Sequence, residues 1–210
     1  MSTWAIIPVK PLNRAKSRLA DVLSPEQRQQ LAESMFRHVL ETVRNVPQII
    51  GTLVISRDSK ALSIAREYEA KTVQETGTPE LNSALTRATQ VVASWGVESL
   101  LVLPADLPLL NSDDLMDMIS MGRGFPSVVI ATDQNRDGTN ALFMRPPGII
   151  SYAYGPGSYQ RHMDMARAAG VKAKTFFSEQ LSLDIDVVGD LEMYNQLAKQ
   201  ANQPQLFVSD

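Results

Sequence analysis

The sequence predicts an α/β fold with a doubly wound, mostly parallel sheet in a single domain. Short apolar runs of strand length alternate with longer segments whose apolar residues recur at helical spacing. This alternation is typical of a parallel sheet flanked by helices. A chain of 210 residues is long enough to bury one full core. We therefore expect one domain over residues 1–200, followed by a polar C-terminal tail over residues 201–210.

The predicted strands are short apolar segments distributed over the whole chain. In order they are TWAIIPV (3–9), GTLVIS (51–56), KTVQE (71–75), ESLLVLPAD (98–106), PSVVIATD (126–133), GTNALFMRP (138–146), VKAKTFF (171–177) and LSLDID (181–186). The strongly apolar fourth segment is typical of a strand buried on both faces.

The predicted helices occupy the segments between these strands. They cover residues 24–45, 58–70, 78–96, 111–121, 159–170 and 188–200. In the first of them Ser24 is the expected N-cap, with Pro25 at the first helical position and Gln27 completing a capping box. Its apolar stripe is expected to face the core and consists of Leu31, Met35, Val39 and Val43.

Composition and charge exclude several classes of protein. The net charge is −3, which argues against a nucleic-acid-binding protein. The chain has no cysteine and only two histidines, His38 and His162, so disulfides, thiolate chemistry and a histidine zinc site are not expected. Neither a signal peptide nor an apolar run long enough to span a bilayer is recognisable, and we expect a soluble cytoplasmic protein with no membrane partner.

The connection after the first predicted strand carries four cations. PVKPLNRAKSRL, residues 8–19, contains Lys10, Arg14, Lys16 and Arg18 and no acid. Crowded like charges repel, so an anion among them would be favourable. Ligands of doubly wound sheets bind beyond the carboxyl ends of the strands, which is where this basic loop is expected. The alternative is a basic loop exposed to solvent.

Three aspartates occupy positions suited to binding a metal. Asp106 ends the most apolar predicted strand, and Asp184 and Asp186 would project from the same face of the last one. Neighbouring carboxylates repel, and a shared divalent cation relieves that repulsion. Alternatively, Asp106 caps a turn and Asp186 caps the last helix, with Asp184 solvated.

Two further segments could contact a second anion. In GPGS, residues 155–158, the glycines allow a close backbone approach and Ser158 opens a helix, whose unblocked N-terminus would attract phosphate or carboxylate. In RDGTNAL a predicted turn precedes Thr139 and Asn140, which could donate to a ligand or to the backbone. Cations, acids and a second anion pocket together are the components of phosphoryl or nucleotidyl transfer.

These motifs resemble a family of guanylyltransferases in the biosynthesis of the deazaflavin coenzyme F420, which act on 2-phospho-L-lactate or phosphoenolpyruvate. The matching segments are PVKPLNRAKSRL, VLPADLPLL, RDGTNAL, GPGS with the RH pair after it, and DIDVVGDL. They follow the family's order from residue 8 to about residue 191. The resemblance implies a nucleotidyltransferase-type, Rossmann-like fold.

The resemblance also implies roles for individual residues. The GTP phosphates would be held by the four cations Lys10, Arg14, Lys16 and Arg18. Mg²⁺ would be bound by the three aspartates Asp106, Asp184 and Asp186. The phosphorylated acid would be bound by Thr139, Gly155 and Ser158. The residues closest to the reaction would be Lys16, Arg18 and Asp106, and guanine would lie beside Asn82.

The implied reaction joins GTP and phosphoenolpyruvate into enolpyruvoyl-2-diphospho-5'-guanosine with release of pyrophosphate. 2-Phospho-L-lactate and 3-phosphoglycerate remain alternative acceptors, since a pocket separates such similar acids by only about 1–3 kcal/mol per group. The family further implies a downstream transferase that consumes the short-lived product, and a homodimer.

Three other interpretations are weaker. Molybdopterin guanylyl- or cytidylyltransferases carry a glycine-rich first loop, whereas PVKPLNRAKSRL has no glycine. Nucleotide-sugar glycosyltransferases carry D-x-D after a central strand, where this chain has ADLP. A non-catalytic phosphate-binding module would need the cations and the GPGS turn but not the three acids.

Overall fold

The computed structural model describes residues 2–77, 80–133, 135–183 and 185–200. Within them seven strands form one sheet: β1 (Thr3–Val9), β2 (Ile49–Ser56), β3 (Lys71–Gln74), β4 (Ser99–Val102), β5 (Ser127–Thr132), β6 (Thr139–Arg145) and β7 (Lys174–Phe176). Their spatial order is β3-β2-β1-β4-β6-β5-β7. β6 is antiparallel to β4 and β5, and the other neighbouring pairs are parallel. The predicted mostly parallel α/β sheet is confirmed.

Helices cover both faces of this sheet. They are α1 (Pro25–Arg44), α2 (Ser59–Glu67), α3 (Leu81–Ala93), α4 (Ser112–Met121), α5 (Ser158–Ala168) and α6 (Val188–Gln200). Apolar residues of α1, α2 and α4 pack in one cluster with the sheet, whereas those of α3 and α5 pack in a second cluster on its other face. Such two-sided packing buries the apolar central strands completely.

The first helix forms as its sequence predicts. The Ser24 hydroxyl accepts from the Gln27 N–H, and the Gln27 side chain accepts from the Ser24 N–H, so the capping box is complete. Two otherwise unpaired donors are thereby satisfied. All four residues of the predicted stripe are buried.

The strand directions bring the ends of several elements to one edge of the sheet. β1, β2 and β4 are parallel, so their carboxyl ends lie at the same edge. Val102, the last residue of β4, pairs with Leu142 of the antiparallel β6. Thr139 at the start of β6 therefore lies beyond the end of β4, on the edge from which the basic loop emerges.

The predicted eighth strand, over residues 181–186, is wrong. The described residues of this segment form a turn and an irregular stretch. Leu183 and Ile185 are buried against Leu19 of the basic loop, Leu31 of α1 and Leu191 of α6. The alternating apolar residues of this segment therefore pack against two helices and a loop. The same alternation in a sequence also predicts a strand, so the pattern alone does not distinguish the two structures.

Two further expectations concern the ends of the chain and the membrane. The predicted tail, residues 201–210, lies outside the described residues. Within the part that the structure describes, no helix combines the length and apolar character needed to cross a membrane.

Candidate functional site

The basic loop is held to the protein body by two leucines. Leu12 and Leu19 are 2% and 0% exposed, each in a short 3-10 turn. Between these turns Lys16 has φ +56°, in the left-handed region that costs a non-glycine residue about 1 kcal/mol. This backbone conformation accompanies an inward lysine, whose side chain is 5% exposed.

The loop's remaining cations differ from Lys16 in their surroundings. Lys10, Arg14 and Arg18 are exposed. Arg18 approaches Asp186 at 3.8 Å while its side chain stays 71% exposed, so this contact contributes little to stability. The loop thus divides into one inward amine and three solvent-facing cations that are free to meet an anion.

The Lys16 amine joins two acids that are remote in sequence. Lys16 Nζ donates to Asp106 Oδ2 at 2.6 Å and to Asp186 Oδ1 at 3.2 Å. Asp106 lies in the loop after β4, beyond the strand end at which the sequence places it. Its side chain is 31% exposed and that of Asp186 is 49% exposed, so both carboxylates remain open to solvent on their other sides.

The charge state of this cluster is set by its two carboxylates. Burial alone would lower the pKa of the Lys16 amine, but the charges and hydrogen bonds of Asp106 and Asp186 raise it above its usual value. Lys16 is therefore protonated in the free protein and acts as a built-in counter-ion. The lysine and the aspartates, which the sequence assigns to different ligands, form one cluster.

The carboxylate oxygens around Lys16 are suited to binding a divalent cation. Asp106 and Asp186 already direct oxygens at a single cation, the lysine amine, and carboxylate oxygens are the ligands that Mg²⁺ prefers. Asp190 orients the second of them, because its Oδ2 accepts from the N–H groups of Asp186 and Val187 at 2.8 and 2.7 Å. The donor set fits a divalent cation.

The third predicted metal ligand, Asp184, lies outside the described residues. No group of three or more potential metal-ligating side chains occurs among the residues that the structure covers. A site made of all three aspartates therefore stays a prediction.

The residues predicted to bind the second anion lie at the start of β6 and at the turn before α5. Gly155 and Gly157 have φ +123° and +73°, which only glycine adopts readily. The expectation of an unblocked helix N-terminus is wrong: Asp137 accepts from the Gly157 N–H through Oδ1 and from the Tyr159 N–H through its carbonyl. The Ser158 hydroxyl has no hydrogen-bond partner among the described residues, and Ser158 is 2% exposed.

The segment before this turn is held from two sides by residues whose structural role the sequence does not reveal. Arg161 donates to the carbonyls of Ala153 at 2.7 Å and of Gly155 at 3.2 Å. Asn82, predicted to lie beside guanine, accepts from the Tyr154 N–H at 2.7 Å. Arg161 belongs to the RH pair that follows GPGS, but the sequence alone does not indicate that its side chain binds these carbonyls.

Asn140 serves the backbone rather than a ligand. Its Nδ2 donates to the Leu181 carbonyl at 2.8 Å, and the residue is 7% exposed. This bond ties the start of β6 to the segment that carries Asp186. The acid cluster and Thr139 are thus connected along the same edge of the sheet.

His162 is buried completely beneath Thr139. Its Nδ1 lies 2.9 Å from Thr139 Oγ1, and its Nε2 accepts from the Ala153 N–H at 3.0 Å. The edge of the Tyr154 ring packs against it, with ring centroids 5.1 Å apart. Burial, with a smaller contribution from the Arg161 charge, lowers the pKa of His162 to about 4.

The lowered pKa of His162 predicts an acid-sensitive component of stability. The unfolded chain takes up this proton near pH 6.5 and the folded chain only near pH 4. The free energy of unfolding should therefore fall as the pH drops through this window, by about 3 kcal/mol. Urea unfolding from pH 7 to pH 4 measures it, and the difference between wild type and His162→Gln should shrink towards low pH. A constant difference would contradict the prediction.

A separate cleft of about 540 Å³ lies between the basic loop, α1 and the start of α2. It is lined by Pro11, Asn13, Arg14, Gln29, Arg57, Asp58, Ser59 and Lys60, none of which belongs to the acid cluster. Two of its three cations already have acidic partners, since Lys60 pairs with Glu33 at 2.6 Å and Arg57 with Glu75 at 3.4 Å. Of the four cations of the basic loop, this cleft is lined by Arg14 alone.

Comparison with known sequences gives a consistent set of relatives. The family model described as "Guanylyl transferase CofC like" matches residues 3–196. A phosphoenolpyruvate guanylyltransferase of Rubrobacter xylanophilus is 37% identical over 91% of this chain and 92% of its own. Another from Sphaerobacter thermophilus is 34% identical with the same coverage. A 2-phospho-L-lactate guanylyltransferase of Methanothermobacter thermautotrophicus is 33% identical over 91% of this chain and 83% of its own.

Solved structures show the same fold at low sequence identity. A protein of Desulfovibrio desulfuricans G20, assigned as a nucleotide-diphospho-sugar transferase, superposes with a TM-score of 0.77 at 16% identity, covering 96% of this chain and 90% of its own. CMP:2-keto-3-deoxy-manno-octonic acid synthetase complexed with CTP superposes with a TM-score of 0.65 at 14% identity, covering 96% of this chain and all (100%) of its own. At such identities the likeness concerns the fold alone.

Proposed function

Since the chain belongs to the CofC-like guanylyltransferase family, we propose that it transfers the guanylyl group of GTP to phosphoenolpyruvate, in the biosynthesis of coenzyme F420. The products would be enolpyruvoyl-2-diphospho-5'-guanosine and pyrophosphate. The named relatives support guanylyl transfer, and those from Rubrobacter xylanophilus and Sphaerobacter thermophilus carry the phosphoenolpyruvate name.

One observation carries the proposal for the site. A buried lysine amine holds two carboxylates from different loops together at the carboxyl edge of the sheet, with three exposed cations on the same loop. Nucleotidyl transfer needs cations around a polyphosphate and oxygen ligands for a divalent cation at one point. A protein that only bound phosphate would have no use for acids beside its cations.

The chain's own residues would mainly position and neutralise charge. Lys10, Arg14 and Arg18 would meet the triphosphate from the solvent side, and Lys16 would meet it at the acid cluster. Asp106 and Asp186, with Asp184, would bind Mg²⁺, which when bound supplies charge neutralisation of the phosphate oxygens. An oxygen of the acceptor phosphate forms a bond to the α-phosphorus as the bond to the β-phosphate oxygen breaks. The acceptor phosphate is ionised at neutral pH, so the step requires no general base.

The phosphorylated acid would lie against Thr139, Gly155 and Ser158. Support comes from the position of Thr139 on β6 at the edge that carries the acid cluster, and from the hydroxyl groups of Thr139 and Ser158, which are suited to anions. GTP is the proposed second substrate, with guanine beside Asn82. A downstream transferase that consumes the product, a cytoplasmic location and a homodimer remain expectations from the family resemblance.

Pyrophosphate release tests the proposal. The protein is supplied with GTP, Mg²⁺ and one acid at a time: phosphoenolpyruvate, 2-phospho-L-lactate or 3-phosphoglycerate. The downstream transferase and its deazaflavin substrate are included as a trap for the short-lived product. Release with phosphoenolpyruvate alone is expected, release with another acid would reassign the acceptor, and no release with any acid despite GTP binding would overturn guanylyl transfer.

Ser158→Ala should weaken the acceptor site selectively. Loss of one hydroxyl donor to an anion is expected to raise the KM for phosphoenolpyruvate about tenfold while the KM for GTP stays within about twofold. The start of α5 should persist, because its N–H groups bond to Asp137. Ser151→Ala is the matched control, since Ser151 is exposed just before this segment. A larger effect on GTP would move the acceptor pocket elsewhere.

A further inference from the structure

The hydrogen bonds of His162 determine which of its ring nitrogens carries hydrogen. A backbone N–H can only donate, so Nε2, which accepts from the Ala153 N–H at 3.0 Å, must present a lone pair. The ring is fully buried, and a second proton would place two donors face to face at Nε2. The ring is therefore neutral, with its single hydrogen on Nδ1.

This tautomer determines the direction of the Thr139 hydroxyl. Nδ1 lies 2.9 Å from Thr139 Oγ1, so Nδ1–H donates and the hydroxyl oxygen accepts. The hydroxyl hydrogen is then left without an acceptor among the described residues. The bond from Nδ1–H occupies one of the two lone pairs of the hydroxyl oxygen and keeps the hydroxyl hydrogen from pointing at the ring, so that hydrogen can be donated to a ligand.

We propose that His162 is a positioning residue that presents the Thr139 hydroxyl as a hydrogen-bond donor to the anionic acceptor substrate. The inference rests on the proposed function, which places the phosphorylated acid at Thr139. Ionised phosphate and carboxylate oxygens accept but do not donate, so a hydroxyl held as a donor has the matching polarity.

The same ring also holds the backbone segment before Gly155. Its Nε2 holds the Ala153 N–H, two residues before Gly155. Arg161 holds the carbonyls of Ala153 and Gly155, and Asn82 holds the Tyr154 N–H. His162 thus connects the Thr139 hydroxyl with the backbone segment at Ala153, and the acid would bind between them. A rotation of the imidazole ring would break both hydrogen bonds.

The tautomer can be read directly by nitrogen NMR of the whole protein. The chain has only two histidines. The other one, His38, serves as an internal reference because it is expected in the opposite tautomer. Nε2 of His38 lies 2.8 Å from the Leu110 carbonyl oxygen, so that nitrogen must donate. At pH 7 we expect His162 as the Nδ1–H tautomer with an unprotonated Nε2, and His38 with a protonated Nε2. A protonated Nε2 in His162 would overturn the inference.

Two substitutions distinguish the hydrogen bond of His162 to Thr139 from its hydrogen bond to Ala153. In His162→Asn the amide nitrogen is the same number of bonds from Cα as Nδ1, so the donor to Thr139 is kept. In His162→Gln the amide oxygen can occupy the position of Nε2 and keep the Ala153 bond, whereas the donor to Thr139 is lost. We expect His162→Gln to raise the KM for phosphoenolpyruvate about tenfold with GTP little changed, and His162→Asn to restore most of it.

A double substitution makes the test independent of general damage to the fold. Thr139→Val should raise the same KM, and adding it to His162→Gln should give no further increase, because both remove one interaction. Additive effects, or equal effects of His162→Asn and His162→Gln, would overturn the positioning role. If the wild type releases no pyrophosphate with any acid, the proposed function fails, while the NMR result still decides the tautomer.

Discussion

Asp106→Asn is expected to lower pyrophosphate release by at least about 100-fold while leaving the fold intact. The substitution removes a negative charge that would hold a divalent cation against the phosphates, and charge neutralisation is the main contribution of the protein to nucleotidyl transfer. The fold should persist because the amide oxygen can still accept from Lys16, which also keeps Asp186 at 3.2 Å. We expect the free energy of unfolding to fall by about 1 kcal/mol.

Turnover at saturating GTP measures the loss of catalysis. A Mn²⁺ titration followed by electron paramagnetic resonance measures the loss of metal binding. Weaker Mn²⁺ binding and lost turnover together would place Asp106 at the metal. Asp117→Asn is the matched control, because Asp117 is an exposed acid on the neighbouring α4. Unchanged turnover in Asp106→Asn would remove this residue from the mechanism.

Lys16→Met is expected to lower stability, to strengthen divalent-cation binding and to weaken GTP binding. Without the amine, Asp106 loses its counter-ion and Asp186 keeps only the weak 3.8 Å contact with the exposed Arg18. The protein should therefore lose about 2 kcal/mol of stability, less than for a fully buried pair because both carboxylates are partly exposed. Because the positive charge between the carboxylates is missing, the free protein should bind a divalent cation more tightly. Affinity for GTP should nevertheless fall, because the triphosphate loses a cation.

Urea unfolding with and without MgCl2 tests the first two effects. Mg²⁺ should restore stability to Lys16→Met and change the wild type little, because the lysine amine already neutralises the acids. The loss in GTP affinity should shrink as salt rises, since screening weakens the lost attraction. Lys16→Arg is the control that keeps the charge. A salt-independent loss of GTP affinity, or no response to Mg²⁺, would indicate that Lys16 serves packing alone.

The helices and most strands could be predicted from the sequence because their causes are local. The capping box at Ser24 and the buried stripe of α1 involve residues within a few positions of each other. Residues 181–186 show the limit of such reasoning. Their alternation is real, but its cause is burial against Leu19, Leu31 and Leu191, which come from three other parts of the chain.

The candidate site was predictable as a set of residues but not as a geometry. The sequence places cations after β1 and an acid after β4, and parallel strands bring those positions to one edge. It assigns Lys16 and the aspartates to separate ligands, whereas the amine lies between the carboxylates. Lys16 is 90 residues from Asp106 and 170 residues from Asp186 in the sequence, which is far beyond the range of any local pattern.

The hydrogen bonds of the Thr139 hydroxyl and of the start of α5 also depend on contacts between different elements, across 23 and 20 residues of sequence. Local sequence can indicate that Thr139 and Ser158 carry hydroxyl groups near a turn, because composition and turn chemistry act over neighbouring residues. Their surroundings depend on partners from other elements: His162 of α5 contacts the Thr139 hydroxyl, and Asp137 of the loop before β6 accepts from the N–H groups of Gly157 and Tyr159. The chain's periodicity thus specifies its helices and strands. Packing of distant elements specifies the charges and hydrogen bonds that a substrate would meet, because those interactions exist only once the sheet order has formed.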